Sequence, residues 1–257
     1  MLRGFALTAL LLLSILSLIS SVGVGVSHAD ALIGEYKVYI AMFNDAESFN
    51  KFVEISRSVA EEIKVLPLIG AVILKSSKAY ASLVEVMARK LSGIVFEDYA
   101  MPLIDFRFSS SVAGNAENRT ETLRVTGVLD SWRMGLNGRG IRIALLDTGI
   151  YSDHPWLRRG NRSVVVYTYD ATGKVYGDVC VDPITGTPAI HGTAVASIIA
   201  SQSPEYPGVA PEVDIYNVIV FRPETRCRYA YVSDILKGLE WSLRGPDGVP
   251  RSGDEPQ

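Results

Sequence analysis

Apolar positions along this chain fall into three regimes. Up to residue 26 they run together, as FALTALLLLSILSLISSVGVGV from Phe5 to Val26, behind a single charge at Arg3. Between Gly34 and Phe108 they switch twice from strand-like to helical spacing. Beyond residue 140 they gather into compact runs, as strands covered on both faces do.

The middle regime predicts a small α+β unit. YKVYIAMF (36–43) reads as a strand rich in β-branched and aromatic residues. AESFNKFVEISRSVAEE (46–62) places Phe49, Phe52, Val53 and Ile55 near helical spacing, with charges opposite. EIKVLPLI (62–69) and GAVILKS (70–76) read as two strands joined at Gly70, and KAYASLVEVMARKL (78–91) as a second amphipathic helix. SGIVFEDYAMPLI (92–104) closes the unit as a last strand. The order βαββαβ is a ferredoxin-like sandwich, which by itself carries no function.

Residues 109–122, SSSVAGNAENRTET, lack periodicity and are rich in turn formers, so an exposed, protease-accessible linker is expected there. IRIALLD (141–147) and VDIYNVIVF (213–221) then read as buried strands, alternating with helical segments at 191–201 and 233–243. That alternation predicts an α/β doubly wound parallel sheet.

The leading apolar run changes the expected location. Small residues at Ser27-His28-Ala29 and Ala29-Asp30-Ala31 suit signal peptidase, so residues 1–31 are expected to be an export signal, cut after Ala29 or Ala31. A retained membrane anchor is the alternative, since the run is long enough to span a bilayer. In either case the remainder is expected outside the cytoplasm. Asn118-Arg119-Thr120 and Asn161-Arg162-Ser163 fit the glycosylation pattern, which also arises by chance.

Composition excludes more than it assigns. With 48% apolar residues the chain can build packed cores, and a formal net charge of −3 argues against nucleic-acid or membrane binding by charge. Cys180 and Cys227 are too few for a disulfide scaffold and lack metal-ligand spacing. An exported chain could pair them, and two buried thiols would serve equally.

The candidate chemistry is an aspartate and a histidine. Asp147, in Asp147-Thr148-Gly149, stands at the carboxyl end of strand 141–147, where reacting groups gather in open parallel sheets. His191 opens HGTAVASIIASQ, and a helix N-terminus disfavours imidazolium, leaving a neutral base. Gly192, Thr193, Ala194 and Ala196 are small enough to let that helix approach the strand ends. Asp147 could then orient His191, as in a Ser-His-Asp system. Chain order excludes two arrangements: histidine leads in chymotrypsin-type enzymes, and serine leads in α/β-hydrolases. An aspartic protease needs two such carboxylates, and this chain has one Asp-Thr-Gly. Gly138 and Gly140 precede the strand rather than follow it, which removes a dinucleotide loop. His154, before Pro155, is expected to be structural, and His28 lies in the signal.

These residues resemble the subtilisin-like (subtilase) family. DTGIYSDHPWL (147–157) is similar to its aspartate block, and HGTAVASIIA (191–200) to its histidine block, with Ala194 where many members carry a second histidine. GVAPEVDIYNVIVF (208–221) and SDILKGLEWSL (233–243) resemble the segments that follow. The resemblance implies a partial subtilisin-like doubly wound sheet over 123–257, a linker at 107–122 and an inhibitory pro-domain at 34–106. It further implies a serine endopeptidase with Asp147 and His191 as two of three catalytic groups, and protein or peptide substrates. The tail from Tyr99 to Phe106 would lie in the substrate cleft. No cofactor is required for that chemistry; structural calcium is common in the family, but no dense acidic loop here places a site. One departure is plain. The Gly-Thr-Ser block is absent, Ser197, Ser201, Ser203, Ser233, Ser242 and Ser252 lack a glycine-led elbow, and the chain stops at GPDGVPRSGDEPQ. The expectation is a chain cut short before the nucleophile and oxyanion asparagine, inactive alone. The alternative is a binding protein, either an inhibitor built on the pro-domain or a pseudo-protease.

Overall fold

A computed structural model describes residues 36–103 and 119–256. The apolar run and its cleavage positions, Phe106, residues 107–118 of the expected linker and the Asn118 acceptor lie outside them. Contacts divide the chain into two compact units, Met1–Tyr99 and Ala100–Gln257. Among the described residues no helix is long and apolar enough to cross a membrane.

The first unit has the expected βαββαβ order: β1 (Tyr36–Met42), α1 (Ala46–Ser56), β2 (Ala60–Leu66), β3 (Ala71–Ser77), α2 (Ala81–Lys90) and β4 (Ile94–Glu97). The strands form one sheet in the order β2-β3-β1-β4, antiparallel throughout. Alternate residues Tyr39 and Ala41 of β1 and Val72 and Leu74 of β3 share a face with Phe49 and Phe52 of α1 and Val84 and Ala88 of α2. The Asp45 carboxylate accepts the Ser48 N–H at 2.8 Å and starts α1.

Three boundaries differ from the sequence expectation. Helix α1 stops at Ser56, because Val59 and Ala60 join the core and β2 must begin at Ala60 to pair with β3. Helix α2 opens on a 3-10 turn at Lys78–Tyr80. The single strand expected over 92–104 is two: β4 pairs with β1, whereas β5 (Ala100–Pro102) belongs to the second unit. The boundary between units therefore falls at Tyr99, ahead of the expected 106.

The second unit continues with α3 (Arg119–Val125), α4 (Val128–Arg133), β6 (Arg142–Asp147), β7 (Arg158–Arg159), β8 (Arg162–Ser163) and β9 (Val165–Asp170). It ends with α5 (His191–Ala200), β10 (Asp214–Ile219), β11 (Tyr229–Tyr231) and α6 (Val232–Arg244). Residues 119–122, expected in the linker, are helical in α3. Strands β6, β10 and β9 form a parallel sheet in the order β6-β10-β9. Ile143 and Leu145 of β6 face the core that holds Ala196 and Ala200 of α5, while Ala144 and Leu146 face the core that holds Ile235 and Trp241 of α6. Strand periodicity thus assigns the two helices to opposite faces, which is the doubly wound arrangement. Asn161 stands exposed in the turn between β7 and β8.

Candidate active site

Asp147 is the last residue of β6 and is almost fully buried. Its Oδ1 accepts the Thr148 N–H at 2.6 Å. The chain then turns through Gly149, at φ +96°, where a Cβ would lie 2.6 Å from the Asp178 carbonyl oxygen. A glycine is needed there on both counts.

His191 is the first residue of α5, and its Nδ1 lies 2.9 Å from both Oδ1 and Oδ2 of Asp147. Donation of Nδ1–H to that carboxylate selects the tautomer whose Nε2 is a proton acceptor. Two features bring the helix this close. Gly192 has no side chain where a Cβ would fall 2.2 Å from the Gly149 carbonyl oxygen. The helix also has no side-chain cap from Ile190; instead the Thr148 hydroxyl accepts the Gly192 N–H at 3.1 Å, filling one of the open donors of the first turn. In return Thr193 Oγ1 accepts the Tyr151 N–H at 2.9 Å. The aspartate loop and the histidine helix are therefore interlocked by backbone and hydroxyl groups on both sides.

A hairpin over 178–189 supports this pair from behind. It bridges Gly149 to Val179 and Val181 to Pro188. Cys180 N–H donates to the Thr148 carbonyl at 2.8 Å, and Ala189 N–H donates to the Cys180 carbonyl at 2.9 Å. Asn217, fully buried on the central strand, donates to the Asp178 carbonyl (2.7 Å) and to Thr168 Oγ1 (3.2 Å), tying the hairpin to the sheet. Asp178 Oδ2 accepts the Ser152 N–H at 2.9 Å. The sequence alone does not mark Thr148, Asp178 or Asn217 as supports of the pair. A threonine between the aspartate and glycine was the one visible signal.

Beyond β10 the chain builds an edge strand. Residues 222–228 form a turn in which Arg226 and Cys227 both have left-handed backbones, φ +58° and +57°. Strand β11 follows and pairs antiparallel with β5, matching Tyr229 to Pro102, Ala230 to Met101 and Tyr231 to Ala100. Leu103 N–H donates to the Arg228 carbonyl at 2.7 Å, and its side chain packs on the core of Val218, Val220 and Ala230. Arg222 stacks over the Tyr231 ring and pairs with the buried Asp234 of α6. Cys180 and Cys227 form a disulfide, which closes the alternatives left open by the sequence.

Of the other residues singled out, His154 accepts the Trp156 N–H at 3.2 Å through Nδ1 and opens the 3-10 turn at Pro155–Leu157. Ser197, Ser242 and Ser252 donate their hydroxyls to the Thr193 and Gly238 carbonyls and to Asp254. Ser201, expected inside the histidine helix, follows its end. Among the described residues, no three His, Cys, Asp or Glu side chains form a group suited to a metal ion.

Residues 138–249 match the Subtilase family. The chain is 38% identical to subtilisin BL of Lederbergia lenta over 114 residues, covering 42% of this chain and 35% of that protein. It is 29% identical to the subtilisin-like protease SBT6.1 of Arabidopsis thaliana over 125 residues, covering 49% of this chain and 10% of that protein. The fold is similar to that of fervidolysin from Fervidobacterium pennivorans, a keratinolytic enzyme related to subtilisin. That likeness has a TM-score of 0.51 at 21% identity and covers 84% of this chain and 35% of that one. The chain thus spans only a minor part of the length of each.

Proposed function

We propose that this chain, whose residues 138–249 match the Subtilase family, is a precursor portion of an exported serine endopeptidase. In this reading Asp147 and His191 form the acid–base pair. The observation that carries it is the 2.9 Å contact of His191 Nδ1 with the Asp147 carboxylate at the carboxyl ends of parallel strands. His191 Nε2 takes the proton of a serine hydroxyl attacking a peptide carbonyl, and later delivers it to the leaving amine. Asp147 holds the ring and stabilises its charged form. The serine belongs to a Gly-Thr-Ser block that these 257 residues do not contain. The substrates are proteins or peptides, and the chemistry needs no cofactor.

Residues 34–106, which carry the βαββαβ sandwich and β5, are the inhibitory pro-domain. Antiparallel pairing of β5 with β11 supports this, since an extended peptide added to a sheet edge is a common way of holding a substrate or blocking its site. The purified segment 34–106 is expected to slow an active subtilisin-like enzyme at micromolar concentration, and no inhibition there would remove this role. Export rests on the apolar run ahead of Ala29 and on the Cys180–Cys227 disulfide, a bond that persists in oxidising compartments.

Peptide hydrolysis tests the acid–base assignment in a form of the protein that carries a serine block. Asp147→Asn should lower turnover on the order of ten-thousand-fold by spoiling the tautomer, and His191→Ala should be at least as severe. Undiminished turnover in either variant would assign the chemistry to other residues.

A further inference from the structure

Strand β11 has only three residues and sits at an edge, so few ladder hydrogen bonds of its own determine where it lies. It is delivered by the turn 222–228, whose consecutive Arg226 and Cys227 both take the left-handed conformation that crowds the Cβ of an ordinary residue. Such a pair persists only when its surroundings over-determine it. Beside the turn's own bonds, among them Arg226 N–H to the Pro223 carbonyl (2.7 Å) and Tyr229 N–H to Thr225 Oγ1 (3.2 Å), three ties reach it from the segment that leads to His191. The first is the buried Cys180–Cys227 bond. Arg226 Nε donates to Asp182 Oδ2 at 2.9 Å, and the same carboxylate accepts the Ile184 N–H at 2.8 Å in the hairpin turn. Lys174 pairs with Glu224.

The hairpin end of this clamp is itself fixed to the acid–base pair. Cys180 donates its N–H to the residue after Asp147, and its carbonyl accepts from the residue two before His191. The disulfide therefore spans the shortest covalent path from the Asp147–His191 support to the turn that sets β11. We propose that Cys180–Cys227, with Arg226 and Asp182, is a positioning brace that sets the place of the peptide-holding edge relative to the Asp147–His191 pair. The brace rests on the reading of β11 as that edge. Its role is to keep the left-handed turn closed, so that the Arg228 carbonyl and β11 meet an extended peptide at a fixed distance from the base.

Hydrogen exchange of the full chain, read by mass spectrometry or NMR, separates this from general stabilisation. Labelling times are kept short enough that β6 and β10 stay unexchanged. In Cys180→Ala/Cys227→Ala, the amides of 229–231 and Leu103 should exchange about tenfold faster than in the unaltered chain. In Cys180→Ala/Cys227→Gly, which also lacks the bond, much of that protection should return, because glycine accepts the left-handed backbone without a tie. A disulfide acting only on the unfolded chain predicts the reverse, since glycine adds freedom there. Asp182→Asn keeps the bond and should speed the same amides a few-fold, so the brace remains testable if the disulfide-free variants do not fold. Unchanged edge exchange in every folded variant, or a glycine variant no better protected than the alanine one, would overturn the brace. An unprotected Leu103 amide in the unaltered chain would instead remove the peptide-edge reading.

Discussion

The Asp147–His191 pair and the β11 edge lie in the same unit, yet they are held in different ways. The pair is placed by backbone packing. A central parallel sheet ends at Asp147, two glycines let a helix come to van der Waals contact, and threonine hydroxyls close the open donors on either side. The edge has few backbone bonds and leans on side chains: a disulfide across 47 residues, the Arg226–Asp182 ion pair, and, within its own stretch, Arg222 between Tyr231 and Asp234. Packing of the first kind is stiff and intolerant of volume. Cross-linking of the second kind can be loosened one tie at a time.

Substitutions can break that contrast or sharpen it. All three tryptophans, Trp132, Trp156 and Trp241, lie in the second unit, so their fluorescence during urea unfolding follows that unit. The largest loss is expected for Cys180→Ala/Cys227→Ala, up to roughly 4 kcal/mol for a loop of this length in the chain-entropy account. Gly192→Ala comes next, at about 2–3 kcal/mol, because the new methyl meets backbone that must move. Unlike the cysteine pair, it should also separate His191 from Asp147. Thr148→Val keeps the shape of a fully buried side chain and removes the helix cap, for about 1 kcal/mol. If Gly192→Ala proved neutral, the stiffness ascribed to the pair would be wrong.

The smallest expected effect is one of pH. Hydrogen bonds from the Ile184 amide, and then the Arg226 guanidinium, hold the Asp182 carboxyl below its ordinary value of 3.8. A depressed carboxylate contributes stability that is fully present above the unfolded value and is lost as pH falls through the folded one. The gap in urea midpoint between the unaltered chain and Asp182→Asn should therefore be open at neutral pH and narrow as pH falls below the ordinary carboxylate value. A gap that widened in acid would contradict the assigned ion pair.

The same contrast explains what could be read from the sequence. IRIALLD and VDIYNVIVF announce buried parallel strands, and the aspartate and histidine stand at the ends of the elements they terminate and open, so the pair was legible. The ferredoxin-like order was legible for a similar reason, because its helices and strands keep their own periodicities. Strand β9 was not expected, although VVYTYD is rich in β-branched and aromatic residues; Tyr167 and Thr168 are exposed, which interrupts the continuous apolar run of its neighbours. Strand β11 is three residues long, too short for any period to show. The switch of strand 92–104 from one unit to the other at Asp98 and Tyr99 depends on β5 pairing with β11, more than a hundred residues away, while β4 stays with β1. The pairing of Cys180 with Cys227 likewise follows from the turn that brings them together, which no spacing rule contains.

The tautomer of His191 tests the central claim most directly, and it can be read in this chain without an assay of hydrolysis. Nitrogen-15 NMR of the histidine rings should show neutral His191 protonated at Nδ1, with a slowly exchanging proton, and unprotonated at Nε2. Asp147→Asn should abolish that signature while leaving His154 unchanged. A His191 ring protonated at Nε2, or one averaging freely between tautomers in the unaltered chain, would contradict the pre-assembled acid–base pair.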